Sequence, residues 1–272
     1  KQLWFHGNDF SKQLHLSPYR YRMIRGNDFY EYCFKEIKKQ KTFAILFEEI
    51  DQIFSDEKTG VVVNGNVIYA DYVFNSLLLE RPTLANGEIW LLQHFKGWLI
   101  DTKEDFFDAN TATFMDFRIE QNSGTAFCYV LPFNSKRALV EYTLFSQDLP
   151  GQEQYDEGLK IYISEVLKVR DYKIVETEFG VIPMTNYKFS SHHNSIINIG
   201  TAGGKTKGSS GYTFNFIQKH SKAIVDSLIA TGKPSVKPSA QRFNFYDIVL
   251  LKVLNDGGLR GKEIFTDLFK KN

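Results

Sequence analysis

A mixed α/β fold, of the α+β kind, is predicted by three observations. A helix pattern precedes a long run of short alternating β segments, tight-turn signals separate those segments, and a strand, a glycine-rich loop and a helix then follow one another. The chain has 272 residues, 43% hydrophobic and 15% aromatic, enough to bury one sizeable core or two coupled ones.

Taken in order, Asp28 to Lys39 carries Phe29, Cys33 and Ile37 at helical spacing, with lysines gathered at the C-terminal end, where the helix dipole favours cations. From Thr42 to Leu79 the pattern predicts three β segments, TFAILFEEI, GVVVNG and NVIYADYVFNSLL, with Asn64-Gly65 as a tight hairpin turn between the second and third. Four more follow between Gly87 and Ser146, near EIWLLQHFKGWLID, TATFMDFRI, TAFCYVLPF and ALVEYTLFS, separated by turns such as Asn122-Ser123-Gly124 and Asn134-Ser135-Lys136. They read as an antiparallel sheet. Glu153 to Leu167 returns to helical spacing, and Tyr172 to Thr185 reads as a strand that stops at Pro183. Ser195 to Ile199 is a short apolar strand running into Gly200, with a helix from near Tyr212 to about Ile229. Beyond a linker, Gly232 to Pro238, two aromatic-rich helical patterns, Arg242 to Leu254 and Lys262 to Phe269, are broken at Asp256-Gly257-Gly258.

Composition excludes several classes. A net charge of +1 with scattered basic residues lacks the field that holds a phosphate backbone, so nucleic acid is a poor partner. Cys33 and Cys128 lie far apart without metal-ligand spacing, as free thiols of a reducing cytoplasm. The longest apolar runs, Phe43 to Phe47 and Ile248 to Leu251, fall well short of the roughly 20 residues that cross a bilayer, so membrane contact is expected to be peripheral. Lys1 in first place, without a signal pattern after it, reads as the start of a fragment.

Three places carry candidate chemistry. The row Gly200, Thr201, Ala202, Gly203, Gly204, Gly208, Gly211 ahead of a helix offers free N–H groups and a favourable dipole to an anion or a polar ring edge. Lys205 and Lys207 interrupt it, facing either phosphate or water, and spacing alone leaves a plain connecting loop open. In the strand around Glu141, alternation puts Leu139, Glu141 and Thr143 on one face. If that face is buried, desolvation keeps the carboxyl protonated near neutrality, as a general acid requires; the alternative is a glutamate facing solvent on an edge strand. Asp116 and Arg118, two residues apart, share a strand face and either border a pocket or form a structural ion pair. His192 and His193 have no acid or cysteine at ligand spacing, so no metal is expected, and they read as surface residues. The basic run Lys35 to Lys41 and the aromatics Phe243, Phe245, Tyr246 and Phe265 read as a solvated face and as core, with membrane contact as the alternative for both.

Seven segments, SPYRYRMIRGNDFYEY, HFKGWLIDT, ATFMDFRI, YVLPFNSKRALVEYTLFS, EFGVIPMT, IGTAGGKTKGSSGYTFNFIQKHS and RFNFYDIVLLKVL, together resemble bacterial lycopene cyclases, in register over nearly the whole chain. The resemblance implies a partial FAD/NAD(P)-binding flavoprotein fold like that of aromatic hydroxylases, lacking the N-terminal Rossmann unit. It divides the chain into 1–80, the remainder of an FAD-binding domain, 81–185, an antiparallel-sheet substrate domain, 186–232, a strand, glycine loop and helix returning to the FAD domain, and 233–272, C-terminal helices. It implies non-covalent FAD in reduced form, NADPH as electron source, and lycopene or a related linear carotenoid taken from the inner face of the cytoplasmic membrane. Glu141 matches the acid of the family's cyclase motif, Gly200 to Gly204 with Gly208 and Gly211 its second flavin-contact loop, and Asp116 with Arg118 its M-D-F-R motif. The activity implied is acid-initiated ring closure of lycopene to beta-carotene through a monocyclic intermediate. A flavin monooxygenase of the same fold and a non-catalytic carotenoid-binding protein are the competing readings.

Overall fold

The computed structural model describes residues 2–78, 80–235, 241–257 and 261–271. Its elements in chain order are β1 (Gln2–His6), β2 (Ser11–Leu14), α1 (Gly26–Lys38), β3 (Ile50–Ser55), β4 (Thr59–Val63), β5 (Asn66–Tyr69), β6 (Val73–Asn75), β7 (Trp90–Thr102), β8 (Thr111–Asp116), β9 (Thr125–Pro132), β10 (Arg137–Ser146), α2 (Gln152–Ile161) with a π-helical turn (Tyr162–Val166), β11 (Tyr172–Thr185), β12 (His192–His193), β13 (Ile196–Asn198), α3 (Phe214–Thr231), α4 (Gln241–Gly257) and α5 (Gly261–Lys271). The mixed α/β reading holds.

A seven-stranded sheet in the order β11-β7-β10-β9-β8-β1-β2 organises the molecule. The strands from β7 to β11 pair antiparallel, as the turn signals predict, whereas β1 adds to β8 in parallel. Strands β1 and β2, inside the 1–80 segment, thus complete the sheet of the 81–185 segment. Pro183 does not end β11, which runs on to Thr185 opposite Trp90, because β11 is an edge strand and an edge tolerates a missing donor.

Each face of the sheet buries its own core. On one, Val140, Tyr142, Leu144, Cys128 and Ile100 pack against Tyr155, Leu159, Tyr162 and Ile163 of α2 and its π turn. Gly158 permits that approach: a Cβ there would lie 2.7 Å from the Tyr142 ring. On the other, Phe5, Phe117, Phe127, Phe145 and Met184 meet Leu251 and Leu254 of α4, with Phe265 and Phe269 of α5 against them. Burial of such side chains contributes roughly 1.5–3 kcal/mol each, so the two C-terminal helices are held on this second face.

Two small sheets complete the fold, β3-β4-β5 and β12-β13-β6, with β13 parallel to β6. The Asn64-Gly65 hairpin is present, both residues at positive φ. Segment TFAILFEEI departs from its expected strand: pairing with β4 starts only at Ile50, and Phe43, Leu46 and Phe47 are exposed. Without a ladder partner an apolar alternating run has no hydrogen bonds to hold it extended. The linker Gly232 to Pro238 lies partly, and Gly258 wholly, outside the described residues, as does the side chain of Phe243.

Candidate functional site

Strand alternation decides where Glu141 points. Val140, Tyr142 and Leu144 belong to the core under α2, so Glu141 and Thr143 face the opposite side with Phe145. Register carries Glu141 to Tyr129 on β9 and to Gly97 on β7, and Gly97 in turn lies opposite Glu178 on β11. This is a central position, β10 having a neighbour strand on each side.

Glu141 keeps partial exposure, yet burial is the largest influence on its carboxyl and raises its pKa to about 7; a hydrogen bond from Thr143 Oγ1, at 2.8 Å, opposes the rise, and the charge and hydrogen bond of Glu178 add to it. The carboxyl thus sits deep on this sheet face while keeping some contact with solvent. Glu178 is likewise raised, by burial first and then by Glu176, while its hydrogen bond to Glu141 works the other way.

The side chains around Glu141 are aromatic. The phenols of Tyr21, Tyr129 and Tyr212 each sense Glu141 electrostatically, and burial raises all three, Tyr212 to about 12. All three therefore stay neutral near pH 7. Phe114 stands edge-on to both Tyr21 and Tyr129, and Phe29 edge-on to Phe214 at the start of α3. Such rings present a negative π face to positive charge.

The glycine loop lies on the same sheet face. Gly211, at φ +67, abuts Gln93 and Ile182, and a Cβ on Gly208 would lie 2.5 Å from Thr185 O. Gln93 is four residues from Gly97 along β7, roughly 13 Å at the usual strand rise. The first part of the loop, Gly200 to Gly204, follows the end of β13, where parallel strands present ligand-binding crevices. Gly200 and Gly204 take positive φ; Gly203 is packed on the Asn198 carbonyl; Thr201 Oγ1 meets Thr206 Oγ1 at 3.2 Å, and Ala202 is buried. Lys207 and Ser209 are both tied to Asp247 of α4, whereas Lys205 is half-buried with its pKa lowered by desolvation. Gln93 Oε1 and Ser210 Oγ are the buried side-chain atoms, among the described residues, that lack a hydrogen-bond partner, and both adjoin Gly211.

Asp116 and Arg118 lie elsewhere. Asp116 is fully buried on the α2 face, where it accepts from Arg118 Nε at 2.9 Å, Arg118 Nη2 at 2.6 Å and Tyr162 Oη at 2.9 Å. The sheet separates this closed ion pair from Glu141. His192 and His193 are exposed on β12, and among the described residues no group of three His, Cys, Asp or Glu gathers at metal-binding distance. No helix among the described residues is long and apolar enough to cross a membrane.

Sequence reading missed Glu178, Gly97 and the tyrosines. Glu178 sits in an alternating strand like any surface residue, and only register across two strands brings it to Glu141.

Solved structures share this architecture. A geranylgeranyl bacteriochlorophyll reductase-like protein from Thermoplasma acidophilum superposes with TM-score 0.64 at 12% identity, over 97% of this chain and 70% of that one. PqsL, a probable FAD-dependent monooxygenase from Pseudomonas aeruginosa, gives 0.56 at 12% identity over 99% and 81%. A variant of HpxO from Klebsiella pneumoniae complexed with FAD gives 0.54 at 11% identity over 96% and 72%. These likenesses establish a flavoprotein-type fold. No curated protein matches the chain. The family model described as lycopene cyclase protein matches residues 1–270, a span that holds both Glu141 and the glycine loop, and the chain belongs to that family.

Proposed function

We propose that the protein closes the ends of linear lycopene into rings, giving beta-carotene through a monocyclic intermediate, with Glu141 as the general acid. The observation that carries this reading is a carboxyl raised to about 7 by burial among Tyr21, Tyr129 and Tyr212, on the same sheet face as the glycine loop. Near neutrality an ordinary glutamate is ionised and has no proton to give. Glu141 retains a protonated fraction, and proton transfer to the terminal alkene leaves a tertiary carbocation. The neighbouring alkene attacks it, and loss of an adjacent C–H proton to the Glu141 carboxylate leaves the ring double bond and restores the acid. The reaction is an isomerisation, intramolecular-lyase chemistry without net oxidation. Tyr21, Tyr129, Phe114 and Tyr212 exclude water and offer π faces to the cation.

FAD fits the residues present. Gly200, Thr201, Ala202, Gly203, Gly204, Gly208 and Gly211 would hold it, and the unmet polar atoms of Gln93 and Ser210 beside Gly211 are the observation that fits a polar ligand. Reduced FAD, with NADPH as electron source, would supply an electron-rich ring that stabilises positive charge electrostatically. We place the protein on the inner face of the cytoplasmic membrane, where its lipid-dissolved substrate resides; the exposed aromatics of the described residues, Tyr30, Tyr32 and Phe47 among them, support peripheral contact.

The test is Glu141→Gln with lycopene liposomes, FAD and NADPH. The substitution removes the acid at nearly constant shape, and ring formation is expected to fall at least about a hundredfold; rings formed at the unaltered rate contradict the acid role. A second reading, a flavin monooxygenase, is favoured by the fold of PqsL alone, and predicts consumption of NADPH and oxygen with each product.

A further inference from the structure

Glu178 has no part in the acid role assigned to Glu141, yet the fold brings it there. Gly97 separates the two in register, and a Cβ on Gly97 would lie 2.8 Å from Glu178 Cγ and 2.9 Å from its Oε1, so the Glu178 side chain lies across β7 in the space that glycine leaves. Two carboxyls thus meet through a hydrogen bond on the sheet face opposite α2. A hydrogen bond between carboxyls needs one proton, and two ionised carboxylates in contact repel, so the pair binds that proton more firmly than either group alone.

We propose that Glu178 is a positioning residue of the ring closure, its ionised carboxyl and that of Glu141 forming a one-proton pair that keeps Glu141 in its acid form. The inference rests on the proposed cyclase reading. Through the reaction the pair gives one proton to the alkene carbon and regains one from the ring cation, with Glu178 ionised throughout. The groups facing Glu141 are Tyr129 and, across the sheet, Cys128 from β9, Tyr21 from the segment before α1, Tyr212 from that before α3, and Glu178 with Glu176 behind it from β11. Among these the carboxyls are the two on β11, and Glu176 is met by Arg25 at 3.4 Å and by Asn27. After burial, the influence that favours the proton on Glu141 is that of Glu178.

Glu178→Gln tests this in the full chain. It removes the charge and offers an amide donor to ionised Glu141, both of which favour ionisation. Two readouts are taken against pH: ring formation from lycopene, and the carboxylic-acid carbonyl stretch in infrared spectra, assigned by its loss in Glu141→Gln, which needs no turnover. Both midpoints are expected to move toward acid by about one pH unit or more, with activity lost at neutral pH regained on acidification. Gly97→Ala, which displaces Glu178 without altering either carboxyl, is expected to move them in the same direction. Unmoved midpoints in Glu178→Gln overturn the inference while leaving Glu141 as the acid. Full ring formation in Glu141→Gln overturns the cyclase reading itself.

Discussion

Gly97 and Glu178 are complementary across the outermost pair of strands: the first lacks the side chain whose place the second occupies. In the proposed pair that arrangement adds to burial in favouring the protonated form of Glu141. It has a consequence for stability as well as chemistry. Glu141 goes from 4.5 to about 7 on folding, so between those values the folded chain holds a proton that the unfolded chain has released, and stability falls as pH rises through this window. Denaturant titrations across it are expected to show the decline in the native protein and a much flatter profile in Glu141→Gln.

The loop glycines make a second prediction. Gly211 combines φ +67 with a Cβ direction blocked by Gln93, so Gly211→Ala is expected to cost about 1–3 kcal/mol. Thermal unfolding would register the loss, and quenching of flavin fluorescence on addition of FAD would weaken in parallel.

Asp116→Asn separates the ion pair from Glu141. Removing the charge leaves the half-exposed Arg118 without its partner and disturbs the Tyr162 hydrogen bond. Stability is expected to drop by about 2–3 kcal/mol, below the range for a fully enclosed pair because Arg118 reaches solvent. The pH midpoint of ring formation in the protein that remains folded is expected to stay where it was.

His94, fully buried, accepts from Tyr155 Oη at 2.5 Å and touches Ser146 Oγ at 2.7 Å, and desolvation lowers its pKa to about 4. A histidine depressed on folding contributes stability that is present above 6.5 and lost as pH falls toward 4. Tyr155→Phe leaves the imidazole nitrogen unmet, with an expected cost of about 1–3 kcal/mol in urea unfolding.

Much of the fold was legible because its signals are local. Alternation marked β7 to β10, turn residues marked their boundaries, and Asn64-Gly65 marked a hairpin. Strands β1 and β2 escaped because they are short and owe their place to a distant partner, β8. The face of Glu141 followed from alternation, but what covers that face depended on where α2 and α4 pack. Asp116 and Arg118 were correctly grouped with each other by spacing; their separation from Glu141 is a property of the sheet, since Asp116 turns toward Tyr162 while Glu141 turns toward Tyr129. Glu178 was invisible, because a meeting through Gly97 is written in register rather than in sequence distance.

Isotope labelling of the product tests acid-initiated closure most directly. In deuterated water the partly exposed Glu141 carboxyl exchanges the proton it regains from each ring for deuterium before the next closure, so each ring closed from lycopene is expected to gain a single C–D bond, while in ordinary water the product keeps the mass of lycopene. Rings without deuterium, or a product heavier by oxygen formed with matching loss of NADPH, would contradict the account.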